Sequence, residues 1–109
     1  MYNQYEVILP KDVTDFLSEL EESAENKFMK AFDKVEKGVI REEYFKKLSN
    51  TDGIWEFRIQ DKGKWYRILA FFAGGKIILT THGFQKKGNK TPKKEIDIAE
   101  RIKKDIKSK

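Results

Sequence analysis

The sequence predicts an α+β protein in the order β-α-α-β-β-β followed by a C-terminal helix, with the two early helices on one face of an antiparallel meander. Three observations predict it. Residues 54 to 87 hold three runs rich in β-branched and aromatic residues, IWEFRIQ, WYRILAFF and IILTTHGF, separated by the glycine turns DKGK and AGGK. Two stretches before them place apolar residues at i, i+3, i+4 and i+7, the spacing of one helical face. A further apolar-periodic stretch follows Thr91-Pro92, a helix start with Thr as cap and Pro at the first helical position.

In chain order, Tyr5 to Leu9 is a short apolar run ended by Pro10, which reads as a first strand at the sheet's edge. Asp12 or Thr14 can cap a helix that aligns Val13, Phe16, Leu17 and Leu20. A second helix starts near Ser23 or Ala24, aligns Phe28, Ala31, Phe32 and Val35, and stops at Gly38, a suitable left-handed end residue. Residues 39 to 53 form a connector with a helical turn around Glu42 to Leu48, whose Arg41, Lys46 and Lys47 are either partner contacts or, more simply, solvated surface. Two-residue turns at Lys62-Gly63 and Gly74-Gly75 place Arg58 opposite Arg67, and Arg67 opposite His82. A three-residue turn in either hairpin would reverse the faces of one strand. The last helix aligns Ile98, Ala99, Ile102 and Ile106, to be packed on the sheet's edge or on a partner.

Strand alternation then sorts the meander into two faces. Trp55, Phe57, Ile59, Tyr66, Ile68, Ala70, Phe72, Ile77, Leu79 and Thr81 form the core face. The other is mixed: Glu56, Arg58 and Gln60, then Trp65, Arg67, Leu69 and Phe71, then Thr80, His82 and Phe84. Opposed arginines in a sheet are unfavourable unless an anion lies between them. Arg58 and Arg67 are therefore the first candidates for a site, because paired guanidiniums suit a phosphate and the charge of its transition state. Glu56 is either a base or the group that neutralises the arginines. His82 is either a general acid or base or a structural histidine bonding across the sheet.

Composition narrows the chemistry. The 109 residues include no cysteine and one histidine, which leaves no thiolate or histidine-rich metal site, so neither metal nor cofactor is expected. The length fits one domain over residues 1–109. With no apolar run of roughly 18 residues and no basic region followed by an apolar run at the start, the plain expectation is a cytoplasmic protein. Charge is uneven. Residues 86 to 109 carry ten Lys/Arg against four Asp/Glu, a net of +6, while residues 1 to 85 carry thirteen against fourteen. Such an end beside two arginines fits a polyanion partner, and equally a solvated lysine-rich surface.

The segments GIWEFRIQDKGKWYRILAFF and HGFQKKGNKTPKKEIDIAERI resemble the RelE/ParE toxin superfamily, and most closely its HigB-like, phage-derived subgroup. An E-F-R strand, a Y-R-I strand and H-G-F-x-K-K before T-P at a helix start carry the likeness, which extends over nearly the whole chain. It implies a RelE-like fold and a toxin of a type II toxin–antitoxin pair, a metal-independent endoribonuclease that cuts mRNA on the ribosome, with a helix-turn-helix antitoxin as partner. By position, Arg67 and Arg58 match basic residues of the family's strands, and Lys86 or Lys87 matches the one after the last strand. Glu56 and His82 are then candidate proton carriers, and Lys87, Lys90 and Trp65 candidate RNA contacts. Two departures stand out: Glu56 lies where the RelE prototype has lysine, and the C-terminal helix has no aromatic residue to match that prototype's tyrosine. ParE-like members poison DNA gyrase without cutting RNA, which makes a gyrase-binding toxin the alternative, beside an inactive prophage remnant.

Overall fold

A computed structural model describes residues 3–108 of the chain. Strands β1 (Glu6–Ile8), β2 (Phe45–Lys47), β3 (Trp55–Asp61), β4 (Lys64–Phe72) and β5 (Ile77–Lys86) make one mixed sheet in the order β1-β5-β4-β3-β2. The helices are α1 (Lys11–Ser18), α2 (Glu22–Glu36) and α3 (Lys93–Lys107). β3, β4 and β5 pair antiparallel in sequence order, and β1 lies at the edge, parallel to β5. The outer edge of β1 is closed by the end of α2. Val7 N–H donates to the Glu36 carboxylate at 2.9 Å, and Gln4 and Tyr5 N–H donate to its carbonyl.

The periodic helices pack as their spacing predicts. Val13 and Leu17 of α1 and Phe28, Ala31, Phe32 and Val35 of α2 bury against Phe57, Ile68, Ala70 and Ile78 on one sheet face. α2 ends at Gly38, whose φ of 85° lets Val39 N–H return to the Lys34 carbonyl and Gly38 N–H to that of Val35. Helix starts differ from the reading. Pro10 precedes α1, Glu21 precedes α2 and Pro92 precedes α3, none with a side-chain cap, so neither Asp12 nor Thr14 caps α1 and Thr91 does not cap α3. Thr14 hydroxyl instead turns back to the Lys11 carbonyl within α1.

The two hairpins behave differently. At Lys62-Gly63 both φ values are positive, 51° and 79°, a type I′ turn that fixes the expected register and puts Arg58 opposite Arg67. At the second, Ala73 N–H closes onto the Ile77 carbonyl over three loop residues, so β5 starts with its faces reversed: Ile78 and Thr80 sit beside Phe72 and Ala70. A bulge then restores parity. Leu69 faces both Thr81 and His82, and beyond it Arg67 opposes Phe84, not His82.

Two further elements depart from the reading. The connector closes one turn, with Phe45 N–H on the Arg41 carbonyl at 2.9 Å, and then runs as β2 where a helical turn to Leu48 was expected. Phe45 decides this: fully buried, it stacks on Phe57 and Trp55 with ring centroids 4.3 and 4.7 Å apart, a contact that overrides local preference. α3 lies on the sheet's second face rather than its edge, because Leu69 and Phe71 there are apolar and Ala99 seals them together with Ile54. Ile102 packs at the margin of that cluster, while Ile98 and Ile106 stay exposed.

Candidate functional site

α3 covers only part of the second face, and the uncovered part collects the charged residues. Cross-strand pairing sets them in rows: Lys46 of β2 beside Glu56 of β3, Arg58 beside Arg67 and Phe84, and Trp65 beside Lys86. The loop after β5 and the start of α3 close the far side. The result is a cleft of about 280 Å³ walled by Lys46, Arg58, Lys86 and Lys90, with Ser49, Asn89, Thr91 and the single carboxylate Glu56.

Glu56 is the hub of this arrangement. Only 2% exposed, it accepts a short hydrogen bond on Oε1 from the Thr91 hydroxyl, while Oε2 lies 3.3 Å from Arg67 Nε and 3.7 Å from Arg58 Nε. The missing cap of α3 is thus explained, since Thr91 ties the helix start to the sheet. Arg67 is 1% exposed and lies behind Glu56 rather than on the cleft wall. Its Nη1 donates to the Tyr66 carbonyl at 3.0 Å, while Nε is held by the ion pair with Glu56 at 3.3 Å rather than by a well-aligned hydrogen bond.

Burial pushes the pKa of the Arg67 guanidinium down, the Glu56 charge works against that and Arg58 adds to it. The Lys86 ammonium is lowered too, first by burial and then by the charges of Arg67, Arg58 and Lys46, with Glu56 opposing. Glu56 alone therefore leaves the cations underneutralised. The place has the electrostatics of an oxyanion or phosphate site.

A family model for phage-derived Gp49-like proteins (DUF891) matches residues 15–104. The chain belongs to that family. Gp49-like proteins are associated with toxin–antitoxin systems, and the match runs from α1 into α3, so it takes in every wall of the cleft. No curated protein sequence matches the chain.

Within this Gp49-like domain the fold brings together Glu56, Arg58, Arg67, Lys86 and Lys90. Trp65 and Lys87 line a second cleft that shares Lys86 and Asn89 with the first. His82 lines neither cleft. Its Nε2 lies 3.1 Å from Glu95 of α3 and its Nδ1 3.0 Å from the Thr81 hydroxyl, which pins α3 to the bulge in β5. Thr91 is a site residue that the sequence presents only as a helix cap, and Lys46 is one that it presents as a partner contact or solvated surface without placing it beside Glu56. Lys46 sits in a three-residue strand too short to show a period, and Thr91 before proline carries the stronger signal of a helix cap. No helix among the described residues is long and apolar enough to cross a membrane, and no group of three His, Asp or Glu side chains there could hold a metal ion.

Proposed function

We propose that this Gp49-like protein is the toxin of a type II toxin–antitoxin pair and an endoribonuclease that cuts mRNA on the ribosome. One observation carries the reading: four cationic side chains, Lys46, Arg58, Lys86 and Lys90, face one cleft around a lone carboxylate, with the buried Arg67 paired to that carboxylate from behind. A phosphodiester bound there brings its adjacent ribose hydroxyl with it. The 2′-oxygen attacks phosphorus, the bond to the 5′-oxygen breaks, and the products are a 2′,3′-cyclic phosphate and a 5′-hydroxyl. Arg58, Lys46 and Lys90 neutralise the extra charge of the pentacoordinate phosphorus. Lys86, its pKa lowered by burial, hands a proton to the departing oxygen. Glu56, the carboxylate at the cleft, is the acceptor for the 2′ proton and the counterion that holds both arginines in place. Arg67 acts through Glu56 and is a positioning residue.

Induction of the wild type is expected to arrest growth, and Arg58→Ala and Lys86→Met each to relieve the arrest while the purified variants melt within a few degrees of the parent. Full toxicity of both folded variants would place the activity elsewhere. A basic cleft of this kind also suits an acidic segment of the cognate antitoxin as its cover.

A further inference from the structure

The second cleft, beside the first, is lined by Lys64, Trp65, Lys86, Lys87 and Asn89 and has a volume of about 370 Å³, within the range of sites that seat small ligands. Trp65 is 44% exposed, an unusual position for the largest apolar side chain, and it lies near the start of β4 opposite Lys86. It is not loose surface. The Arg67 guanidinium carbon stands 5.3 Å from the centre of the indole ring, so the buried arginine that backs the first cleft also backs the tryptophan of the second. Lys86 and Asn89 line both clefts and form the wall between them.

We infer that the second cleft is a nucleobase subsite, in which one unpaired base next to the scissile phosphate stacks on Trp65. This rests on the proposed phosphoryl-transfer reading of the first cleft. A strand whose phosphate lies against Arg58 and Lys86 must carry its neighbouring nucleotide over the Lys86 wall. The flat ring there offers stacking to any base, Asn89 offers an amide for its edge, and Lys64 and Lys87 meet the next phosphate. No carboxylate lines this cleft among the described residues, so nothing opposes an anionic chain. Duplex bases are stacked on each other and cannot reach a ring set beside a groove wall, so the ligand is a single strand.

The test uses the full chain and a single-stranded oligoribonucleotide carrying 2′-O-methyl groups, which cannot be cut, beside the same oligonucleotide with one abasic position moved stepwise along it. Binding is read by fluorescence anisotropy at low salt, and Trp65→Ala, Trp65→Tyr and Lys86→Met are compared with the parent. Trp65→Ala is expected to weaken binding of the intact strand about tenfold or more, and Trp65→Tyr to recover most of it. One abasic position is expected to weaken the parent by a similar factor and to leave Trp65→Ala unaffected, while Lys86→Met weakens intact and abasic strands alike. Equal binding by the parent and Trp65→Ala, or an abasic penalty that survives in Trp65→Ala, overturns the subsite. If cells expressing the parent still show cut mRNA in that case, the phosphoryl-transfer reading stands and the subsite alone falls. Absence of both binding and cutting takes both down.

Discussion

Glu56 shows how one side chain can organise a site. Sequence offers two roles for it, base or counterion, and the fold makes it the shared partner of Thr91, Arg58 and Arg67. Its burial makes this consequential, since removing one member of a buried charge pair leaves the other uncompensated, at a cost of about 3–5 kcal/mol. Lys86 has the opposite problem, burial first and then too many positive neighbours. Its pKa is lowered on folding, so the protonated side chain is a net cost at neutral pH, and that cost is relieved as pH rises through the folded value toward the unfolded one, about 10.4. Lys86→Met is therefore expected to melt higher than the parent at pH 7, with the difference shrinking as pH climbs, a pattern that melting curves between pH 7 and 10.5 would show. A constant difference across that range would mean that neither burial nor its neighbours penalise the charged Lys86. For the cleavage reaction the same shift places the loss of activity on the alkaline side below the range of a free lysine.

Elements differ in how far their sequence reveals them. The first hairpin was legible because Lys62-Gly63 can adopt two positive φ values in a two-residue turn, and its register alone put Arg58 against Arg67. The second was not, since Gly74-Gly75 suits a three-residue loop as well as a two-residue one, and no residue type announces the bulge at Leu69. His82 was misplaced relative to Arg67 for that reason alone. β2 was hidden because only a tertiary contact, Phe45 between Trp55 and Phe57, makes it a strand. Gly83 carries a constraint that spacing could not disclose: a Cβ there would lie 2.3 Å from the Phe16 ring, which rests directly on the β5 backbone. Gly83→Ala is expected to cost about 1–3 kcal/mol by pushing α1 off the sheet, measurable by urea denaturation. α2 is tied to β3 at its start. Asp61 accepts from the Ser23 hydroxyl at 2.7 Å and pairs with Lys27 at 3.0 Å, and these contacts, the hydroxyl's first, hold its carboxyl below the usual range. A lowered folded pKa gives stability that is present above about pH 3.9 and is lost as pH falls through the folded value. Asp61→Asn should accordingly melt below the parent at pH 7 and converge with it in acid. Curves that stay parallel into strong acid would assign the contact no electrostatic share.

At the scale of the molecule, charge and architecture coincide. Residues 86 to 109, with their net of +6, supply the loop and helix that close one side of the cleft, while β2 and β3 supply Lys46 and Arg58 on the other. The basic end is thus part of a wall and not a free tail. The α+β class, two early helices on one face and a sheet bearing paired arginines are all readable in the sequence; the position of α3 on the opposite face is not, because Leu69 and Phe71, the apolar patch that it covers, share a mixed face with the arginines. Two neutralised phosphates, the one in the first cleft and the next against Lys64 and Lys87, predict a slope of about −1.4 for log affinity against log salt. A slope near zero would make the binding apolar.

The most direct test of the cleft as an RNA-cutting site is primer extension on mRNA after brief induction of the wild type, Arg58→Ala and Arg67→Lys, with translation running and with translation blocked. New 5′ ends inside codons, present only with translation and lost in Arg58→Ala, are the predicted result, with Arg67→Lys reduced because a lysine keeps the charge but not the fork that spans Glu56 and Trp65. Growth arrest without new 5′ ends in the wild type would contradict the account and turn attention to inhibition of gyrase supercoiling.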